Sequence, residues 1–126
     1  MSAPPVQRRL AAIMSADIAE FSRSMNADES GTLSAVNRIR TEIFAPSVAA
    51  HKGRVVKLMG DGALVEFSSV VDAVACAIEI HTAIAARDQD PDSPQLLRIR
   101  IGVNLGDIII EGLVRRNYLE PGRAVS

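Results

Sequence analysis

A chain of 126 residues with 48% hydrophobic content has material for one packed domain and is not disordered as a whole. A net charge of −1, aromatic residues at 3% and no tryptophan exclude a charge-driven or base-stacking nucleic-acid binder. A single cysteine, Cys76, excludes an internal disulfide framework and favours a reducing, cytoplasmic setting, and no apolar run reaches the ~20 residues that span a bilayer.

Residues 1–8 read as a loose tail, with Pro4 and Pro5 opposing regular structure and no apolar stretch of the kind a signal peptide carries. Leu10 to Asp17, "LAAIMSAD", is an apolar run of strand length ending in a carboxylate. "IAEFSRSMNADES" suits a turn or short helix, after which Asp28 or Asn26 can cap a longer one. From Thr32 to about Ala50, Leu33, Val36, Ile39, Ile43 and Val48 recur at near-helical spacing, with Arg38, Arg40 and Glu42 on the other face. Pro46 should kink or restart this helix, and Gly53 should end it as a C-terminal cap.

"GRVVKLMG" and "GALVEFSS" predict a hairpin turning at Gly60-Asp61-Gly62. A second helix is expected from about Ser69 to Arg87, with Asp72 at the positive end of its dipole. Val71, Val74, Ala77, Ile78, His81 and Ile84 form its expected buried stripe, which makes His81 a packed histidine rather than a ligand. "DQDPDSPQ" is a loop by composition. Arg98, Ile99, Arg100 and Ile101 alternate as a strand does, and Gly106-Asp107 is expected to turn the chain into another strand, "IIIEG". The order β, α, β, β, α, β, β predicts an α+β, ferredoxin-like sandwich: a mostly antiparallel sheet with helices on one face. The domain would occupy residues 9–112, and residues 113–126 form a divergent C-terminal tail.

Asp17 and Asp61 both end strand-like runs. If the first strand lies beside the hairpin, their carboxylates can converge at one edge of the sheet. Converging carboxylates repel unless a proton or a cation intervenes. Oxygen-only ligands suit Mg²⁺ or Mn²⁺, which bind through one or two carboxylates and substrate phosphates. Asp-Gly is also a common turn dipeptide, and spacing alone favours that plainer reading.

The blocks "MSADIAEFSRSM", "GRVVKLMGDGALVEF" and "RIRIGVNLGDIIIEG" together resemble the class III adenylate/guanylate cyclase catalytic domain, in its bacterial branch. The resemblance covers roughly Arg9 to Gly112. It implies that Asp17 and Asp61 are metal ligands, with Ile18 lending its backbone carbonyl to two divalent ions, Mg²⁺ or Mn²⁺. It implies that Phe21 and Ser22 lie in the loop whose N–H groups hold the triphosphate. Lys57 matches the purine-reading lysine of adenylate cyclases, and Arg100 matches an arginine that contacts phosphate. A lysine has donors only, so it pairs with the N1 acceptor of adenine and favours ATP over GTP.

The implied activity is conversion of ATP to cyclic AMP and pyrophosphate, in signal transduction, by a head-to-tail homodimer or a heterodimer with another cyclase domain. No nucleic-acid partner and no membrane insertion are expected. The tail departs from the family. Where the family has Asp-x-x-Gly-x-x-Val-Asn-x-Ala-x-Arg on a helix, this chain has "LVRRNYLEPGRAVS", so no residue matches the asparagine and arginine that act on ribose and transition-state charge. The resemblance is therefore to a C-terminally truncated domain, nearly inactive alone. The alternative is a non-catalytic nucleotide- or metal-binding module that pairs with an intact cyclase domain.

Overall fold

A computed structural model describes residues 7–88 and 97–110, with side chains from 10 to 88 and 97 to 106. The elements are β1 (Gln7–Ile18), α1 (Phe21–Ala27), α2 (Glu29–Ile39), a π-helical turn (Arg40–Phe44), α3 (Ala45–Ala50), β2 (Arg54–Met59), β3 (Gly62–Phe67), α4 (Val70–Asp88) and β4 (Ile99–Ile110). The sheet order is β2-β3-β1-β4, antiparallel at every pairing. The α+β, ferredoxin-like expectation holds. The loop at 89–96, the N-terminal tail up to Val6 and everything after Ile110 lie outside the described residues.

Strand alternation builds the core. Ala12, Met14, Ala16 and Ile18 of β1 and Ala63, Val65 and Phe67 of β3 turn one face to the helices and are buried there. Val36, Ile39, Ile43, Phe44 and Val48 meet them from the first helical layer, and Ala73, Cys76, Ile80 and Ile84 from α4. Asp28 caps α2, its Oδ1 accepting from the Gly31 N–H at 3.0 Å. Ser69 caps α4, its Oγ accepting from the Asp72 N–H at 3.0 Å.

Several expectations are corrected. Leu33 is half exposed, and the buried residue of that turn is Thr32, whose hydroxyl donates to the Ser24 carbonyl at 2.9 Å and ties α2 to α1. On α4, Val71 is 76% and Ile78 60% exposed, and Val74 and His81 also face outward. This helix is apolar nearly all round, so its pattern does not choose a face. Packing does: the small Ala73 and Cys76 lie inward, where Met14, Val65 and Phe67 already fill the sheet surface.

Gly106-Asp107 makes no turn. β4 runs unbroken for 12 residues, with Gly106 opposite Ala11 and Asp107 opposite Leu10. Twelve paired positions along β1 outweigh a local turn preference.

The end of α3 is a Schellman motif. Gly53 N–H donates to Val48 O at 2.8 Å and Lys52 N–H to Ala49 O at 3.2 Å. The left-handed residue is Lys52 (φ 60°), not Gly53. Gly53 is needed for room, because a Cβ there would stand 2.6 Å from the Phe67 ring.

Pro46 does restart the helix, through a π turn. It has no N–H to offer, and its ring would crowd the Glu42 carbonyl in a regular α-helix. The chain widens just before it, and the Ala45 N–H reaches back five residues to Arg40 O.

Candidate functional site

The site lies where β1 ends beside the hairpin tip. Register sets Asp17 directly opposite Gly62 on β3 and opposite Arg100 on β4. One step beyond that ladder, the Ile18 N–H donates to the Asp61 carbonyl at 2.8 Å. Asp17 and Asp61 therefore belong to one corner of the sheet. Both line a single cleft with Ala16, Ile18, Gly62 and Ala63 below and Val36, Ile39, Arg40 and Phe44 above.

Gly62 is required by this approach. A Cβ on it would stand 2.5 Å from the Ala16 carbonyl oxygen and 3.3 Å from the Asp17 Cβ. Gly60, on the other side of Asp61, has nothing within 4 Å of a notional Cβ, so the outer side of the tip is open.

Arg100 Nε donates to Asp17 Oδ1 at 2.8 Å. That hydrogen bond and then the Asp17 charge raise the guanidinium's pKa against an opposing effect of burial, with the Asp61 charge adding the smallest contribution. Both carboxylates thus act on one cation, although the pair is solvent-exposed and contributes little to stability.

Lys57 is half-buried on β2, opposite Leu64. A bulge shifts the β2–β3 register at Val56, upstream of Lys57. Pairing from Lys57 to the tip is regular, so Lys57, Met59, Gly62 and Asp17 share one face of the sheet, the face away from the helices. Lys57 makes no hydrogen bond or ion pair among the described residues. Phe21 and Ser22 are the first two residues of α1, whose N-cap Glu20 sits at φ 55° without a side-chain cap. A non-glycine residue held there is uncommon, and the early N–H groups of α1 have no partner in the helix. Glu20 itself pairs with Arg23 at 3.0 Å on the surface, as a solvated charge.

Reading the sequence missed Arg40. Its Nη2 donates to the carbonyls of Met59 and Gly60, the latter at 3.1 Å, from the π turn across to the hairpin tip. No local pattern signals a contact that spans about twenty residues of chain. Other chemistry is sparse. No group of three or more His, Cys, Asp or Glu side chains could hold a metal among the described residues. Cys76 is buried, and burial followed by the Glu79 charge pushes its thiol up to about 11, so it is no nucleophile at neutral pH. Among the described residues, no helix is long and apolar enough to cross a membrane.

The donor set fits a hard divalent cation. Two carboxylates at one sheet corner, with backbone carbonyls beside them, leave the remaining coordination to water or phosphate oxygens, as Mg²⁺ prefers.

Comparison with known proteins bears on the family and the fold. No family model matches the chain. The chain is 44% identical over 111 residues to "Putative adenylate cyclase 3" of Rhizobium meliloti (strain 1021), covering 88% of this chain and 19% of that protein. Among solved structures, it resembles an adenylate/guanylate cyclase/hydrolase from Silicibacter pomeroyi at TM-score 0.74 and 38% identity, over 86% of this chain and 63% of that one. The guanylyl cyclase Cya2 follows at TM-score 0.69 and 26% identity, over 86% and 61%. The chain belongs to the class III adenylate/guanylate cyclase catalytic domain family. It spans about a fifth of the length of the curated relative and under two thirds of the solved ones.

Proposed function

We propose that this domain supplies the metal- and purine-binding half of an adenylate cyclase site. Asp17 and Asp61, with the Ile18 carbonyl, hold two divalent ions, Mg²⁺ or Mn²⁺. The observation that carries the reading is the ladder register, which sets Asp17 opposite Gly62 and joins Ile18 to Asp61 across the same corner.

In the reaction, the ribose 3′-oxygen of ATP forms a bond to the α-phosphorus. The bond from that phosphorus to the bridging oxygen breaks, the 3′-hydroxyl proton is lost, and pyrophosphate leaves with the bridging oxygen. Bound metal supplies neutralisation of phosphate charge and a more acidic 3′-hydroxyl. Asp17 and Asp61 fix where that charge sits. Arg100, paired with Asp17 before substrate arrives, is within reach of a phosphate bound at the same corner. Phe21 and Ser22 offer backbone N–H groups to the triphosphate. Lys57 reads the purine from the shared face. The asparagine and arginine that complete a family site come from a partner, in a head-to-tail pair.

Mn²⁺ titration followed by electron paramagnetic resonance, with a non-cyclisable ATP analogue present, tests the reading. Asp61→Ala and Asp17→Ala should each weaken Mn²⁺ binding at least tenfold, roughly the effect of losing one charged ligand. Unchanged affinity in both variants, with the fold intact by circular dichroism, would sink it. Metal and ATP bound without turnover in any pairing would leave a binding module.

A further inference from the structure

We infer that Arg40 is a positioning residue for this half-site: from the π turn, its guanidinium holds the β2–β3 hairpin tip by two successive carbonyls and so fixes Asp61 beside Asp17. The inference rests on reading Asp17 and Asp61 as the cation-binding pair.

The hairpin tip needs restraint from somewhere. Asp61 stands between Gly60 and Gly62, and glycine leaves the backbone its widest freedom. Side-chain packing cannot supply the restraint on the outer side, because the space around Gly60 is empty within 4 Å of a notional Cβ. Two hydrogen-bonded grips remain. On one side, the Asp61 carbonyl accepts from the Ile18 N–H at 2.8 Å. On the other, Arg40 Nη2 donates to Met59 O and Gly60 O, the two residues that immediately precede Asp61. One grip is β1 backbone; the other is a charged side chain from the helical layer. Together they leave the turn little freedom to swing its carboxylate.

The local helix geometry bears on the same contact. The π turn opens at Arg40, whose own carbonyl takes the long bond from the Ala45 N–H. Such widened turns cluster at functional sites, because one extra residue rotates the helix and re-aims the side chains before it. Here the side chain at the start of the widened turn is the one that crosses to the hairpin. Arg40 also lines the cleft with Asp17 and Asp61, while no hydrogen bond of its Nε or Nη1 is found among the described residues.

Two effects of Arg40 on a bound cation oppose each other, and that makes the inference testable by sign. As a bare positive charge beside the site, Arg40 would repel the metal, and its removal would tighten binding. As a clamp, it raises the fraction of molecules with Asp61 in place, and its removal would weaken binding in proportion. Charge-assisted hydrogen bonds to backbone carbonyls are strong enough for the clamp to dominate.

The experiment compares the full chain with Arg40→Ala, Arg40→Lys and Arg40→Gln. Amide hydrogen exchange is read at residues 60–62 in metal-free protein, and Mn²⁺ affinity by paramagnetic resonance. In Arg40→Ala, exchange at the tip should quicken by about five- to tenfold and Mn²⁺ affinity should fall by a similar factor, the loss of one such hydrogen-bonded restraint. Exchange in α4 and in β1 before Ile18, whose own N–H bonds to Asp61, should not move, which separates a clamp from general destabilisation. Arg40→Lys, which keeps a charged donor, should recover part of both effects. If the alanine variant does not fold, Arg40→Gln should show the same acceleration at the tip. Unchanged exchange at 60–62, or tighter Mn²⁺ binding in Arg40→Ala, overturns the inference. If Asp61→Ala leaves Mn²⁺ binding untouched, the metal reading has failed instead, and exchange in the metal-free protein still decides whether Arg40 holds the tip.

Discussion

Asp17 already has one cation beside it, Arg100, and the proposed function would bring it a second, the metal. Arg100 takes one of its carboxylate oxygens at 2.8 Å, yet both side chains are substantially exposed, so the pair can open at small cost. An exposed pair of this kind keeps the carboxylate oriented without closing it to a metal. Lys57 differs in being half-buried and unpaired among the described residues, with an ammonium ready for an acceptor. Lys57→Glu should therefore weaken binding of the ATP analogue and strengthen that of the GTP analogue, because a carboxylate accepts from guanine's N1–H and amino group. Titration calorimetry with Mn²⁺ checks this, and equal affinity of the unmutated protein for the two analogues would count against the lysine. Among single residues, the sequence was most legible where chemistry and spacing coincide. Asp17, Lys57 and Asp61 can be named from the motif, and the structure gathers the two aspartates at one corner and turns Lys57 to the same sheet face. Arg40 was illegible because its partners are backbone carbonyls distant in sequence, which no side-chain pattern encodes.

The elements divide along similar lines. The hairpin and the first helical stretch are readable from an apolar period with a clear cap or turn, and β1 and α4 from the length of their apolar runs, which fixes the extent of α4 but not its buried face. Two errors came from elements whose pattern is permissive. α4 is apolar on nearly every side, so its buried stripe of Ala73, Cys76, Ile80 and Ile84 was decided by the shape of the sheet beneath. β4 contains a Gly-Asp pair that reads as a turn, and only its long ladder with β1 keeps it straight. Close approach of strands is equally hidden in a sequence, and Gly62 is where it matters for the site. Its missing Cβ lets β3 pass the Ala16 carbonyl and brings Asp61 beside Asp17. Gly62→Ala forces backbone against backbone, since no flexible side chain can yield there. It should cost about 1–3 kcal/mol of stability, the usual range for overpacking a tight contact. The β1–β3 separation at the site should widen, and Mn²⁺ affinity should fall further than in a surface variant of equal stability. Denaturant midpoints and a Mn²⁺ titration on the same preparations check this, and a Gly62→Ala protein with both properties unchanged would show that the approach is not tight.

At the scale of the whole molecule, the proposed reading assigns metal, purine and triphosphate to one corner of the described fold, built from β1, α1, the hairpin and β4. What it offers to transition-state charge is thinner. Arg100 is assigned to phosphate beside Asp17, Arg40 is tied to the hairpin carbonyls, and the residues after Gly112 contain no asparagine with an arginine one helical turn beyond it. A preorganised cation or hydrogen-bond donor aimed at developing charge is typically worth ~10²–10³ in rate. A polypeptide of these 126 residues should therefore form cyclic AMP from ATP and Mn²⁺ only marginally by itself. Mixed with an intact cyclase domain whose two metal aspartates are replaced, it should restore turnover. Each mixed pair would then own one site, with Asp17, Asp61 and Lys57 from this chain and the asparagine and arginine from the partner. Activity should rise with partner concentration, saturate as the pair forms, and vanish when this chain carries Asp61→Ala. Product measured by chromatography against time distinguishes the outcomes. Robust turnover without any partner, abolished by Asp17→Ala, would mean that a cation within this chain already meets the α-phosphate, and Arg115 and Arg116 would be the first to replace.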